Sequence, residues 1–388
     1  MKNEYTAIVL GVGGIGAGAL YWLSRRVGGE VLGIEQFGLG HDRGSSQDHS
    51  RIIRYSYHRP FYVELAKRAY RCWDAVEKET GEQLVHRVGG LDLFPENGAI
   101  PAQDYTSSLD ACGIGYERLE ADEIRRRWPA FTIPDSVRGL FQADGGLVAA
   151  AKANAAHVRA ARAAGAEVLE NTAVTGVRVE RGEVVVTIAG KTLRCRRLIV
   201  TAGAWSNPAL RHLGLNVPIT VTREQVIYFS APDLERFAPG RHPIWIWMDE
   251  PSFYGFPVFG LPAVKVAQDV GGYETTADTR NFDPDPANLA RVRGWCERYM
   301  PSALGPELLI KTCLYAMPPD REFVVDVLPE HPEVVVAIGG GHGFKFASAL
   351  GQVLSELALD GRTEADLSAF AIDRPVLTMA NPPRNFTI

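Results

Sequence analysis

Cysteine is scarce in this 388-residue chain. The five residues, Cys72, Cys112, Cys195, Cys296 and Cys313, are scattered and form no CxxC pair. A disulfide framework and a structural zinc site are therefore excluded as organising features, and a reducing compartment is the expectation. Charge of one sign never accumulates either: 41 basic and 46 acidic side chains leave a net charge of −5, with no long run of either sign. That excludes nucleic acid as the main partner, and a basic membrane-binding face with it. No stretch approaches the roughly eighteen uninterrupted apolar residues of a membrane span. The first apolar run, Ala7-Ile8-Val9-Leu10, is too short for a signal-peptide core, and a glycine turn follows where a cleavage site would be needed. The carboxyl terminus, Asn385-Phe386-Thr387-Ile388, is not a peroxisomal Ser-Lys-Leu address. Internal repeats and low-complexity segments are missing as well. A cytoplasmic globular protein is the expectation, with 46% apolar and 22% charged residues and length enough for two domains.

The most informative element comes first. Ala7 to Leu10 reads as a strand buried on both faces. Gly11-Val12-Gly13-Gly14-Ile15-Gly16 follows, matching GxGxxG, and then a helix over about 15–26 ended by Gly28-Gly29. A second strand, Val31-Leu32-Gly33-Ile34, ends at Glu35, an acid about twenty residues beyond the glycines. Such a loop brings backbone N–H groups and a helix amino terminus against a pyrophosphate. The first glycine makes the turn, the second admits the phosphates, and the third lets helix and strand pack. Glu35 would accept hydrogen bonds from ribose hydroxyls and disfavours a 2′-phosphate, so NADP is not expected.

NAD and FAD share this motif. An NAD domain would complete its parallel sheet early. Here the sheet is interrupted and resumed, and further glycine-rich turns (Thr201-Ala202-Gly203 and 339–343) follow buried strands at 198–200 and 334–338. That pattern suits an extended FAD. Between these units the periodicity predicts helices over 61–78, 149–164 and 288–300, and one opening at 339–343 and running to about 359. It predicts a strand at 88–95 and short antiparallel strands at 167–169, 174–179, 184–188 and 192–195. A second, aromatic sheet is predicted from 217 to about 267. The economical arrangement is one dinucleotide domain in three segments, with a β-rich domain filling the insertions.

At this point the residues resemble the monomeric sarcosine oxidase family of amine-oxidising flavoenzymes, which also holds N-methyltryptophan oxidase and pipecolate oxidase. The resemblance spans nearly the whole chain. It rests on 11–16; on Gly44-Ser45-Ser46 and Ser50-Arg51-Ile52-Ile53-Arg54; on Tyr254-Gly255-Phe256-Pro257 and Lys265; on Cys313-Leu314-Tyr315; on Pro319-Asp320-Arg321-Glu322-Phe323; and on Gly341-His342-Gly343-Phe344-Lys345-Phe346. It implies an α/β fold, α+β overall. A Rossmann-like FAD-binding domain would hold an inserted mixed-sheet substrate domain, as in glutathione reductase and D-amino-acid oxidase. The expected division is 1–88, 146–216 and 318–388 for FAD, and 89–145 and 217–317 for substrate. The implied reaction is oxidation of a secondary amino acid, with O2 reoxidising the flavin to give H2O2. A dehydrogenase or imine-forming biosynthetic enzyme of the same fold is the alternative. A monomer with a small amino-acid substrate is expected.

Site roles follow from the same resemblance. Cys313 would link covalently to the flavin; a thiolate is the nucleophile such a bond needs. Most cysteines are instead inert core thiols. Arg51 would lie against the flavin, and Arg54 and Lys345 would hold the substrate carboxylate, which a guanidinium can grip bidentately. On a helix the two arginines would share a face; in an extended stretch they would not. Lys265, in an apolar run where a lysine is costly, would sit over the flavin and promote its reaction with O2. An edge-strand lysine is the bland alternative. Tyr254 and Tyr315 would line the substrate pocket. Cofactor contacts are implied for Gly11, Val12, Gly13, Gly14, Ile15, Gly16, Glu35, Gln36, His41, Ser45, Ser46, Val174, Gly203, Trp205, Gly341, Gly343 and Lys345. Two positions depart from the sarcosine-type pattern: Asp269 and Gln47 stand where that pattern has histidines. Both are expected to bear on which amine fits, and Trp245 and Trp247 add bulk nearby.

Overall fold

The computed structural model describes residues 2–384. Met1 and 385–388 lie outside the described residues, and so does the carboxyl-terminal address considered above. Three sheets organise the described residues. The first has eight strands. Glu4–Leu10 sits centrally, parallel to Val31–Ile34 on one side and to the end of Lys191–Val200 on the other. His331–Ile338 extends the parallel set beside 198–200. Their inner stretches are apolar because both faces are covered, one by the helices Gly14–Val27 and Ala347–Asp360 and the other by residues such as Val184, Val186 and Leu210: Ile8, Val9, Leu198, Ile199 and Val335 are completely buried.

A nine-stranded sheet is built from Thr220–Phe229, Val264–Gln268, Phe253–Phe256, Ile244–Trp247, Gly90–Phe94 and Arg138–Gln142, with Glu307–Met317 on the other edge of the first of these. A small sheet joins Ser50–Ile53, Gly146–Ala149 and Val85–Arg87. The helix Gly14–Val27 packs on Ala347–Asp360 with no room to spare. A Cβ on Gly18 would fall 2.4 Å from the Ala347 carbonyl oxygen, and one on Gly351 would fall 2.2 Å from the Gly18 carbonyl carbon.

Several local expectations need correction. The strand read at 88–95 is Gly90–Phe94; Gly89, at φ +83°, separates it from Val85–Arg87, a strand of the small sheet that the periodicity did not predict. The stretches 192–195 and 198–200 are one strand, Lys191–Val200. Its first half pairs antiparallel and its last half parallel, and its arginines do not interrupt it because alternate side chains point outward. Glu167–Leu169 is parallel, beside Val31–Ile34, rather than antiparallel. The glycine turn at 339–343 leads into a 3-10 turn, Gly343–Phe346, and the α-helix starts only at Ala347. Helices Ala102–Ala111 and Ala121–Arg127 went unread. Trp245 and Trp247 face away from the cavity described next: Trp245 stacks on Trp295 at 4.5 Å and Trp247 on Tyr299 at 4.5 Å.

Candidate active site

A cavity of about 700 Å³ runs from the glycine loop to the face of the nine-stranded sheet. At its first end Gly11 adopts φ +89° and lies so close to Thr201 that a Cβ would meet that carbonyl oxygen at 2.8 Å. Gly13 and Gly14 follow along the wall, with the Gly14 N–H donating to Ser46 Oγ at 2.8 Å. Gly16 alone among the sequence-predicted site residues does not line the cavity. It serves packing: a Cβ there would fall 1.9 Å from the Gly11 carbonyl oxygen.

Glu35 accepts from the Val12 N–H at 2.9 Å and the Phe37 N–H at 3.1 Å, with His41 Nε2 at 3.4 Å. Burial pushes its carboxyl pKa up, but His41 and the two N–H donors more than offset this, so it lies below the usual value. Gln36, Ser45, Val174, Gly203 and Trp205 line the same stretch. Gly341, at φ +82°, passes Tyr315 so closely that a Cβ would lie 2.5 Å from the ring. An elongated space cradled by bare backbone, a helix amino terminus and an ionised acid fits the pyrophosphate and ribose of a dinucleotide.

Beyond this cradle the charged groups converge. Lys265 lies inside the nine-stranded sheet, opposite Tyr228 on one neighbour and Phe256 on the other. It is therefore not an edge-strand lysine. Its Nζ stands 2.6 Å from Asp48 Oδ2 and donates to the Ser50 carbonyl at 2.9 Å. Burial pushes its pKa down, Asp48 pushes it up and Arg51 down again, leaving it at about 8. Arg51 donates to the carbonyls of Ser45 and Ser50, each at 2.9 Å. Cys313 is buried near Arg51 and Lys265; burial raises its thiol to about 11 against the pull of both cations.

Arg51 lies in the Ser50–Ile53 strand and Arg54 just past it, yet both reach the cavity. Arg54 is already paired: Nη1 contacts Asp92 Oδ1 at 2.9 Å, and Ser56 also donates to Asp92. Arg321 holds Asp269 at 2.8 Å, and Tyr315 Oη lies 3.5 Å from the same carboxylate. Lys345 Nζ donates only to the His342 carbonyl, at 3.1 Å, and forms no ion pair among the described residues. Burial, then Arg54, pushes its pKa well down. Gln47 donates to the Thr312 carbonyl at 3.0 Å, beside Cys313, and its Oε1 is buried without a partner.

The family model for FAD dependent oxidoreductases matches residues 6–357. The chain belongs to this family. The oxidoreductase is 36% identical over 379 residues to a monomeric sarcosine oxidase of Streptomyces avermitilis, covering 95% of this chain and 97% of that one. It is 32% identical over 379 residues to an N-methyl-L-tryptophan oxidase of Yersinia pseudotuberculosis, covering 96% and 99%. These relatives bear out the resemblance read from the motifs. L-proline dehydrogenase from P. horikoshii shares the oxidoreductase's fold, with a TM-score of 0.84 at 21% identity over 96% of this chain and 97% of that one.

The sequence assigns no role to Asp48 and Arg321, which line the oxidoreductase's cavity, nor to Asp92 and Tyr228, which stand behind it against Arg54 and Asp48. Asp48 and Arg321 sit inside or beside the motifs that carried the resemblance, and that proximity was the available signal. Asp92 and Tyr228 lie on strands whose pairing places them, and no local pattern marks them.

Proposed function

We propose that the enzyme oxidises a secondary amino acid, sarcosine or another N-methyl or cyclic amino acid, to its imine. O2 takes the electrons as H2O2, and water splits the imine to amine and aldehyde. The observation that carries this reading is one cavity holding Cys313, Lys265 and Lys345 together beyond the glycine cradle. The names of the relatives, oxidases of sarcosine and of N-methyl-L-tryptophan, support it. When bound, FAD supplies acceptance of two electrons and a proton from the C–H beside nitrogen, and their return to O2.

The chain's own residues do the rest. Lys345 is the cation left over for a substrate carboxylate, with Arg54 beside it. Four cations, Arg51, Arg54, Lys265 and Arg321, face three carboxylates, Asp48, Asp92 and Asp269, and a substrate carboxylate that draws a proton onto Lys345 leaves that excess of one positive charge unchanged. That balance disfavours an ammonium in the pocket, so the amine binds with its nitrogen lone pair free. Tyr254, Tyr315, Gln47 and Asp269 shape the walls. Lys265 presents a fixed positive charge where O2 gains negative charge.

Cys313 would hold the flavin by a thioether. Forming that bond would remove the thiol proton, one hydrogen of the cofactor's methyl group and two electrons, for which O2, leaving as H2O2, would be the acceptor. The two-domain division read from the sequence is part of the proposal: the eight- and three-stranded sheets fall in 1–88, 146–216 and 318–388, the nine-stranded sheet in 89–145 and 217–317. So is a monomer in a reducing cytoplasm.

The test is a panel of sarcosine, larger N-methyl amino acids, proline and pipecolate, each with its decarboxylated analogue, assayed for peroxide. Turnover of the acids with peroxide is expected. Equal turnover of the decarboxylated amines overturns the carboxylate site, and dye reduction without peroxide makes the enzyme a dehydrogenase. Acid precipitation tests the covalent bond: the pellet should be yellow, and colourless for Cys313→Ser.

A further inference from the structure

We propose that Asp48 is the positioning residue for Lys265, fixing the ammonium at the cavity wall and supplying its counter-charge during the reaction with O2. The proposal rests on the reading of Lys265 given above and adds a second residue to it.

Four observations meet at Asp48. Its side chain is 1% exposed and its Oδ2 is 2.6 Å from Lys265 Nζ, itself 2% exposed. Its other oxygen accepts from Tyr228 Oη at 2.6 Å. Arg51 Nη1 stands 3.5 Å away. The backbone of Asp48 is at φ +93°, a region that glycine enters freely and other residues enter against strain. Its carbonyl is pinned there by the Ala151 N–H at 3.1 Å. A non-glycine residue held in such a conformation by its surroundings marks a site where geometry matters more than local comfort.

The ammonium has three N–H donors. Asp48 takes one and Ser50 another, through its carbonyl at 2.9 Å with its hydroxyl at 3.4 Å. The third is left for the cavity that Lys265 lines. Tyr228 closes the far side of the carboxylate, so Asp48 cannot swing away without leaving a buried hydroxyl unpaired. The groups facing Lys265 pull in different directions. Asp48 favours its charge, as does a Cys313 thiolate; Arg51, on the Ser50–Ile53 strand, opposes it. Phe256 turns its ring toward Nζ at 4.5 Å. An isolated lysine in so dry a place would shed its proton. Asp48 is the carboxylate that prevents this.

The strained backbone offers a clean experiment, since Asp48→Gly removes the carboxylate while relieving the strain. Holoenzymes of wild type, Asp48→Gly, Asp48→Asn and Lys265→Met are reduced with dithionite, so that no substrate need be known. They are then mixed with O2 from about pH 6 to about pH 10. Both Asp48 variants should reoxidise about 10-fold slower near neutral pH, with the fall-off in rate moved to lower pH. Asp48→Asn keeps an acceptor for Tyr228 Oη and should melt closer to wild type than Asp48→Gly, which leaves Lys265 and Tyr228 without their partner.

A second readout needs no turnover. Cyanate adds to neutral amines and yields a carbamyl-lysine, counted by peptide mass. Lys265 in Asp48→Gly should be carbamylated about 10-fold faster than in wild type. Wild-type reoxidation and carbamylation in both Asp48 variants would overturn the proposal while Lys265→Met stays slow. If Lys265→Met itself reoxidises normally, the reading of Lys265 falls first and takes the proposal with it. Should Asp48→Gly fail to fold, Asp48→Asn decides, because asparagine also tolerates positive φ.

Discussion

Lys345 faces the cavity without a carboxylate, while its neighbour Arg54 already has one in Asp92. Two substitutions that look alike on paper should therefore behave differently. Arg54→Ala strands a buried Asp92, and breaking such a pair costs about 3–5 kcal/mol. A large loss in melting temperature is expected, partly restored by adding Asp92→Asn. Lys345→Ala should melt almost normally and lose carboxylate affinity. Because burial and Arg54 push the Lys345 pKa well down, a bound anion should draw a proton back onto it. Calorimetry of acetate binding in buffers of different ionisation enthalpy should register uptake of about one proton per anion; no buffer dependence would remove Lys345 from the carboxylate site. Lys265 gives a pH prediction with a definite sign. Its pKa is lowered to about 8, so its charge is present below that value and lost above it. Reoxidation by O2 should therefore slow as pH rises through about 8, while Lys265→Met should be slower by about 10²-fold and flat with pH, as stopped-flow would record. Every site residue named from the family-like motifs except Gly16 lines this cavity. Their partners were not legible: Asp92 reaches Arg54 through pairing between strands far apart in the chain, and no local spacing encodes that.

Elements were legible where burial is uniform. Ala7 to Leu10 and Val334 to Ile338 are apolar runs because both faces of their sheet are covered, and the glycine loop declared its helix. Misreadings arose where distant strands set the pairing. Glu167–Leu169 lies parallel to Val31–Ile34, and Lys191–Val200 pairs antiparallel on one edge and parallel on the other without any break in sequence. The crossing of Gly14–Val27 with Ala347–Asp360 is a tight contact in which both partners are backbone. Gly351→Ala has no flexible side chain to push aside, so the helices must separate. A cost of at least about 1–3 kcal/mol is expected from overpacking, visible in thermal melts. Both helices begin at the cavity wall, so flavin retention on gel filtration should fall with it. Unchanged stability and retention would mean the crossing can shift without consequence.

At the scale of the whole molecule, the cavity is where the sheets meet. Its walls come from the glycine loop, from 35–54, from 151–174, from 201–212, from five strands of the nine-stranded sheet and from 337–345. A ligand that binds only this folded arrangement adds its binding free energy to stability. The flavin-free Cys313→Ser protein should melt well below the wild-type holoenzyme, and added FAD should recover part of the difference. Equal melting temperatures would mean that the cofactor spans less of the cavity than its length allows. The order in which those walls are synthesised has a consequence of its own. The glycine loop leaves the ribosome more than three hundred residues before the strand beside 198–200 and the turn at 339–343. Over that stretch of translation a nascent chain therefore carries half a nucleotide site with an exposed strand edge. FAD can be captured only once 331–345 have emerged, so a messenger truncated before that point should yield colourless, chaperone-bound protein however much flavin the cell contains.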